Sequence, residues 1–299
     1  MMPPLASWHR GGPRRGQALI LCSAVAWSTT GIFQRELSVN TITQVVGRAL
    51  FGFVALVTYL LVTERDRALS AIRSMGRPGL ASTGCTVLTS VSFIVALNHT
   101  SVAHVLIILA VAPIVASLLS RVVLGEPIGR LTWLAMLMSL VGVTVMVGTG
   151  GRSGILGDAI ALVMTLGFAA NVVILRRHHE MSMAPAAALS QLIVVVAGAP
   201  FSRLASVGSH DLVFLVLIGA GSLGLGVIFL MRGSRLIPVT DVMIISLLEV
   251  VLGPLGVWLV FSQWPGVATL VGGVIVLAAV GLQILGRVHS ASVGLGVEP

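Results

Sequence analysis

The chain has 299 residues, of which 56% are hydrophobic and only 9% charged, with a formal net charge of +8. Soluble domains carry about 25% charged residues, so this chain could not coat its own surface if water surrounded it, and lipid is the expected solvent. No basic cluster is interleaved with aromatics, so the positive charge does not point to nucleic acid, and Cys22 and Cys85 suggest neither a disulfide framework nor a metal cage.

A helix crosses the roughly 30 Å hydrocarbon core with about 20 mostly apolar residues, and ten such runs are predicted. The first, Gly16–Phe33, follows a tail of residues 1–15 that holds Arg10, Arg14 and Arg15. Ala24-Val25-Ala26 resembles a signal-peptidase site, but the helical pattern continues to Phe33 and the segment is expected to be retained. Ser23, Trp27, Thr30 and Gln34 form a stripe along it. In the second run, Thr41–Val62, the residues Thr41, Gln44 and Arg48 share a face. Arg48 is placed either to hold a solute carboxylate in a bidentate pair or to serve stability, by snorkelling or by pairing with Asp158.

The third run, Leu80–Leu97, offers Thr86, Ser90 and Phe93. The fourth, Ala103–Val123, begins near His104, a gate candidate or simply an interfacial residue, and Pro113 interrupts its backbone bonding and favours a bend. Its Ala112, Ala116 and Ser120 form a small-residue packing face. Leu131–Val147 is the fifth run and completes a first unit of residues 16–148. The glycine-rich stretch Gly148–Gly154 reads as a flexible connector, with 149–153 as the linker.

The second unit, residues 154–286, opens with Gly154–Leu175, where Phe168 and Asn171 are cavity candidates, and continues with Ala184–Phe201. The eighth run, Leu212–Leu230, contains Gly219-Ala220-Gly221-Ser222-Leu223-Gly224. That pattern signals dinucleotide binding only at a strand-to-helix turn; inside an apolar span it is read as close helix packing through Ala220/Gly224 and Ser222/Gly226. The ninth run, Val239–Phe261, starts near Asp241, the second gate candidate, and carries Glu249 about ten residues in, roughly 15 Å deep. An intramembrane charge costs about 2.5–3.5 kcal/mol even on lenient scales, so Glu249 is read as a proton-coupling group, a partner for a solute amine, or a neutral acid bonded to a neighbouring helix. Asp241, Ile245, Glu249, Gly253 and Gly256 share its face, and Pro254 marks a second bending point. Gly266–Leu285 is the tenth run, and residues 287–299 form a tail.

These runs lack the two-residue alternation of barrel strands and are too long for them, which leaves helices as the way to satisfy the backbone in lipid. All eighteen basic residues are arginines. With a cytoplasmic N-terminus, fourteen of them fall on the cytoplasmic side, Arg35, Arg152 and Arg203 fall outside, and Arg48 lies within a span. That bias predicts both termini in the cytosol. The two units also align: Gly16-Gln17-Ala18-Leu19 with Gly157-Asp158-Ala159-Ile160, placing Trp27 on Phe168 and Arg35 on Arg176, and Val102-Ala103-His104-Val105 with Val239-Thr240-Asp241-Val242. Five spans being odd, the second unit enters from the opposite side. The expected fold is all-α integral membrane: ten transmembrane helices as two inverted-topology five-helix repeats, N-in and C-in. Inverted repeats recur in secondary transporters.

The same residues resemble the drug/metabolite transporter superfamily, and specifically its EamA-type ten-helix exporters. Ala96-Leu97-Asn98-His99-Thr100-Ser101 precedes the fourth span, Ala112-Pro113-Ile114-Val115-Ala116 fills its middle and Leu124-Gly125-Glu126-Pro127 follows it, similar to that family's small-residue entry, mid-helix proline and terminal Gly-Glu. In the second half Glu249-Val250 stands where the family often has Glu-Pro, and Ser262-Gln263 replaces Gly-Glu. The resemblance implies export of amino acids or related small amphipathic metabolites through the cytoplasmic membrane by alternating access. It also implies a central cavity lined by spans one, three, four, six, eight and nine, with five and ten peripheral. Trp27, Arg48, Ser90, Phe93, Phe168, Asn171 and Glu249 are the cavity residues expected on these grounds. No catalytic motif, phosphate-binding loop or metal site is present in the sequence, so no enzyme activity, ATP, metal or cofactor is expected. The expected partners are a small-molecule solute, the bilayer and, at Glu249, protons. Proton-coupled efflux of cationic drugs is the rival within transport; a non-transporting scaffold or lipid-handling protein is the rival outside it.

Overall fold

Apolar runs of this length have one low-cost conformation in lipid, and every described element is helical. The computed structural model describes residues 12–34, 36–63, 75–100, 102–147, 155–180, 182–262 and 266–293. Residues 1–11 and 294–299, the 149–153 linker, Arg35, Gln263 and the side chains of Asn98 and His104 lie outside the described residues, while the inner ends of the expected tails, from Gly12 and to Val293, continue the flanking helices. The helices are α1 (Gly12–Ser28), α2 (Thr30–Gln34), α3 (Thr41–Thr63), α4 (Gly76–His99), α5 (Val102–Leu109), α6 (Ala112–Leu124) and α7 (Arg130–Val147). There follow α8 (Ile155–Arg177), α9 (Ala184–Gly198), α10 (Ser209–Val216), a π-helical stretch (Leu217–Gly224), α11 (Leu225–Gly233), α12 (Val239–Ser246), α13 (Leu248–Phe261) and α14 (Val267–Val293).

Eight segments are long and apolar enough to cross a membrane, from Gly12–Gln34 through Val267–Leu285. The two remaining predicted runs are also helical. The helix α4 has 24 residues, but glycine, serine and threonine dilute its apolarity, and α7 is short. The exterior is oily: Val62, Val122, Ile155 and Leu259 are each more than three-quarters exposed, while Ser23, Thr43, Ser117, Ser139, Thr165 and Ser190 are fully buried. Lipid solvation explains this distribution, because chain packing rather than hydrophobic collapse decides what lies inside. Many buried hydroxyls donate to the carbonyl one turn earlier, as Thr165 does to Ala161 (2.9 Å) and Ser246 to Val242 (2.8 Å), which satisfies them without water.

Three predicted spans are interrupted. The first breaks at Thr29, and the fourth and ninth break at matching places, after α5 and α12, each eight residues long. Pro113 sits in the first turn of α6, so its missing N–H coincides with the break at Ala110–Val111. The ninth span differs from the proline-based expectation. Its break lies at Leu247, tightened by a three-residue bond from the Leu247 N–H to the Ile244 carbonyl (3.2 Å), while α13 continues through Pro254.

Packing is pairwise across the two halves. The helix α1 lies on α11, α4 on α8, α3 on α9 and on the π-helical stretch, α6 on α8 and α12, and α7 on α14. Glycines allow the closest approaches. A Cβ on Gly142 would stand 2.9 Å from the Gly272 carbonyl oxygen, so α7 and α14 meet backbone to backbone. Gly16 lies against Leu236 and Ile237, and Gly157, its aligned counterpart, against His99 and Thr100.

Candidate solute-binding cavity

These pairings leave space where α1, α3, α4, α8, α9, α11 and α13 converge: a cavity of about 280 Å³, lined by both halves of the chain. That is near the lower edge of the roughly 300–1,000 Å³ of small-molecule pockets and suits a metabolite-sized solute. Trp27, Arg48, Ser90, Phe93, Phe168, Asn171 and Glu249 all line it. Residues distributed over spans one, two, three, six and nine are thus brought to one chamber.

The aromatic wall is built from two positions that align between the halves in sequence. Trp27 and Phe168 meet edge to face, with ring centroids 6.3 Å apart and planes at 64°, the arrangement ring quadrupoles favour. Gly226 on α11 lets the indole lie against that helix, because any Cβ there would collide with the Trp27 ring. One turn earlier along α1, the Ser23 hydroxyl donates to the Gly226 carbonyl at 2.8 Å and holds α1 in place.

An arginine and a glutamate enter from different halves, Arg48 from α3 and Glu249 from the first turn of α13. Among the described residues neither side chain has a hydrogen-bond or ion-pair partner, and the two are not paired with each other. The alternative partner considered for Arg48 is engaged elsewhere: Asp158 accepts a bond from the Thr100 hydroxyl at 2.7 Å. The backbone of Arg48 is held close to Gly219, where an added Cβ would stand 2.6 Å from the Arg48 carbonyl oxygen. The Gly-rich pattern of the eighth span therefore serves packing, within a π-helical stretch whose Leu223 reaches the cavity.

Asn171 belongs to a polar strip whose other members, Ser82, Ser190 and Gln191, escaped the sequence reading. Ser82 donates to Asn171 Oδ1 at 2.7 Å, and on α9 the Gln191 amide donates to the Ser190 hydroxyl at 3.3 Å; all four line the cavity. A Ser-Gln pair seven residues into an otherwise apolar run was the available signal. Spans two and seven thus join the expected walls, and none of the described residues of α7 and α14 lines the cavity. Asp241 lies away from the chamber: it is buried in the first turn of α12 and accepts a 2.6 Å bond from Gln283 on α14. No group of three or more metal-ligating side chains occurs among the described residues.

Comparison with known proteins gives this architecture a class. Residues 14–148 match the EamA-like transporter family. An uncharacterized transporter of Archaeoglobus fulgidus is 28% identical over 283 residues, which cover 89% of this chain and 95% of the relative. A crystal structure of another protein shares the fold with a TM-score of 0.79 at 17% identity, covering 90% of this chain and 96% of that one. With eight helices long and apolar enough to cross a membrane, the chain is a multi-pass membrane protein. Its first half is similar to the EamA-like transporters.

Proposed function

We propose that this protein is a secondary carrier that exports amino acids or related small amphipathic metabolites across the cytoplasmic membrane by alternating access. In this reading it has ten transmembrane helices, arranged as inverted repeats of residues 16–148 and 154–286, with both ends in the cytosol. The carrying observation is the cavity itself: an arginine and a glutamate that have no partner among the described residues, and an aromatic edge, contributed by both halves. A zwitterion meets each charge with its opposite, and its apolar side chain meets Trp27, Phe93 and Phe168.

The repeat is supported by packing that is closed under exchange of the halves. The pairing of spans one and eight answers that of six and three, and two–seven, four–nine and five–ten answer themselves. Gly16 and Gly157 make matching contacts, and the fourth and ninth spans break at matching depths. Discontinuous helices near the midplane suit solute binding, since their free termini present unpaired backbone groups. Glu249 also favours a second reading, proton-coupled efflux of cationic drugs. Arg48 in the same chamber opposes it, because like charges repel strongly where water is scarce.

The test is counterflow in proteoliposomes with radiolabelled amino acids chosen by a thermal-shift screen. Saturable uptake of a zwitterion, competed by its own class and not by lipophilic cations, is expected. Sealed vesicles that show no saturable flux of any soluble solute would sink the proposal and favour a scaffold or lipid-handling role.

A further inference from the structure

We infer that Glu126 and Arg176 form the clasp of the cytoplasmic gate, an ion pair that must part each time solute enters the cavity from the cytosol. The inference rests on the carrier reading and its topology. Glu126 follows α6 directly, after the left-handed Gly125 (φ 70°) that ends that helix. Its carboxylate accepts from three elements at once: the Ser120 hydroxyl of α6 at 2.7 Å, Arg176 Nε in the last turn of α8 at 3.1 Å, and the Val239 N–H that opens α12 at 3.3 Å. Arg176 extends the knot by donating from Nη1 to the Arg235 carbonyl at 2.6 Å. The ends of spans four, six, eight and nine are therefore tied together at one membrane face, across both halves.

The knot also caps the chamber. Leu175, the residue before Arg176, is buried and lines the cavity, as does buried Met231 near the end of α11, before Arg235. Separating the clasped ends would open these apolar plugs. The pair itself is partly water-exposed, 16% for Arg176 and 20% for Glu126, so water can take over its hydrogen bonds when it parts, as a reversible gate requires. The aligned positions of the other half differ in sequence: Arg35 matches Arg176, but Gln263, a carboxamide, stands where Glu126 would.

The experiment places one reporter thiol in the cavity, Ala187→Cys with Cys22 and Cys85 replaced by Ser, and measures its labelling by a membrane-impermeant maleimide. Inside-out vesicles expose the cytoplasmic face and right-side-out vesicles the other. Loss of a charge-assisted bond shifts an equilibrium roughly tenfold or more. Glu126→Gln should therefore speed labelling from the cytoplasmic side about tenfold, and Arg176→Gln should do the same. The reversed pair, Glu126→Arg with Arg176→Glu, should recover part of the parent's slow rate, since it restores the ion pair but not the bonds from Ser120 and Val239 or to the Arg235 carbonyl. Parent rates in both Gln variants, or acceleration confined to the outer face, overturn the clasp. Labelling needs no solute, so faster labelling alongside failed counterflow would uphold the gate and refute only the substrate assignment.

Discussion

Arg48 and Glu249 carry the specificity argument, and each can be tested against one end of the solute. A hydrogen bond to a charged group contributes about 1.5–3 kcal/mol, or roughly 10- to 100-fold in affinity. Arg48→Gln should weaken binding of a carboxylate-bearing amino acid by about that factor while leaving its decarboxylated amine almost unaffected. Arg48→Lys should recover only part, since it restores charge but not the planar fork. Glu249→Gln should show the reverse pattern, weakening binding of the amine end. Isothermal titration of purified variants reads both, and equal losses for zwitterion and amine in Arg48→Gln would remove the carboxylate role. Arg48 and Glu249 were legible in the sequence because a charge inside an apolar run needs a reason. Gln191 was less so, since a neutral amide costs less there and stands out less.

Glycine contacts decide how closely the helices approach, and they separate positions that look alike in sequence. Gly272 faces the backbone of α7, where an added methyl would strike the Gly142 carbonyl oxygen and Met146, whereas Gly84 on α4 faces open space. Gly272→Ala should lower stability by about 1–3 kcal/mol through overpacking. Gly84→Ala should be neutral or slightly stabilising, as alanine is the better helix former. Thermal unfolding in detergent compares them, and equal midpoints would contradict the α7–α14 contact. The helix breaks teach a related lesson. Pro113 marked its break in advance, but the matching break at Leu247 has no proline beside it, and Pro254 lies within continuous helix. No proline or glycine beside it marks that second interruption in the sequence.

At the scale of the molecule, a cysteine or short tag placed within residues 149–153 should react only from outside the cell, and tags at both ends only from inside. Finding all three on one side would end the inverted-repeat reading and the shared cavity with it. What the chain determined unaided is its solvent, its helices and the charge bias of its connecting segments, because each follows from how a short stretch of residues partitions between water and oil. The weak similarity of its halves was readable too, in aligned residues such as Gly16 and Gly157. Only the tertiary structure decided that Arg48 stands apart from Asp158, that Asp241 binds Gln283 away from the chamber, and that Glu126 ties three elements together. Those outcomes depend on which helix faces which, and in lipid the hydrophobic effect gives almost no preference among apolar faces. Close packing and polar pairing between residues far apart in sequence make that choice.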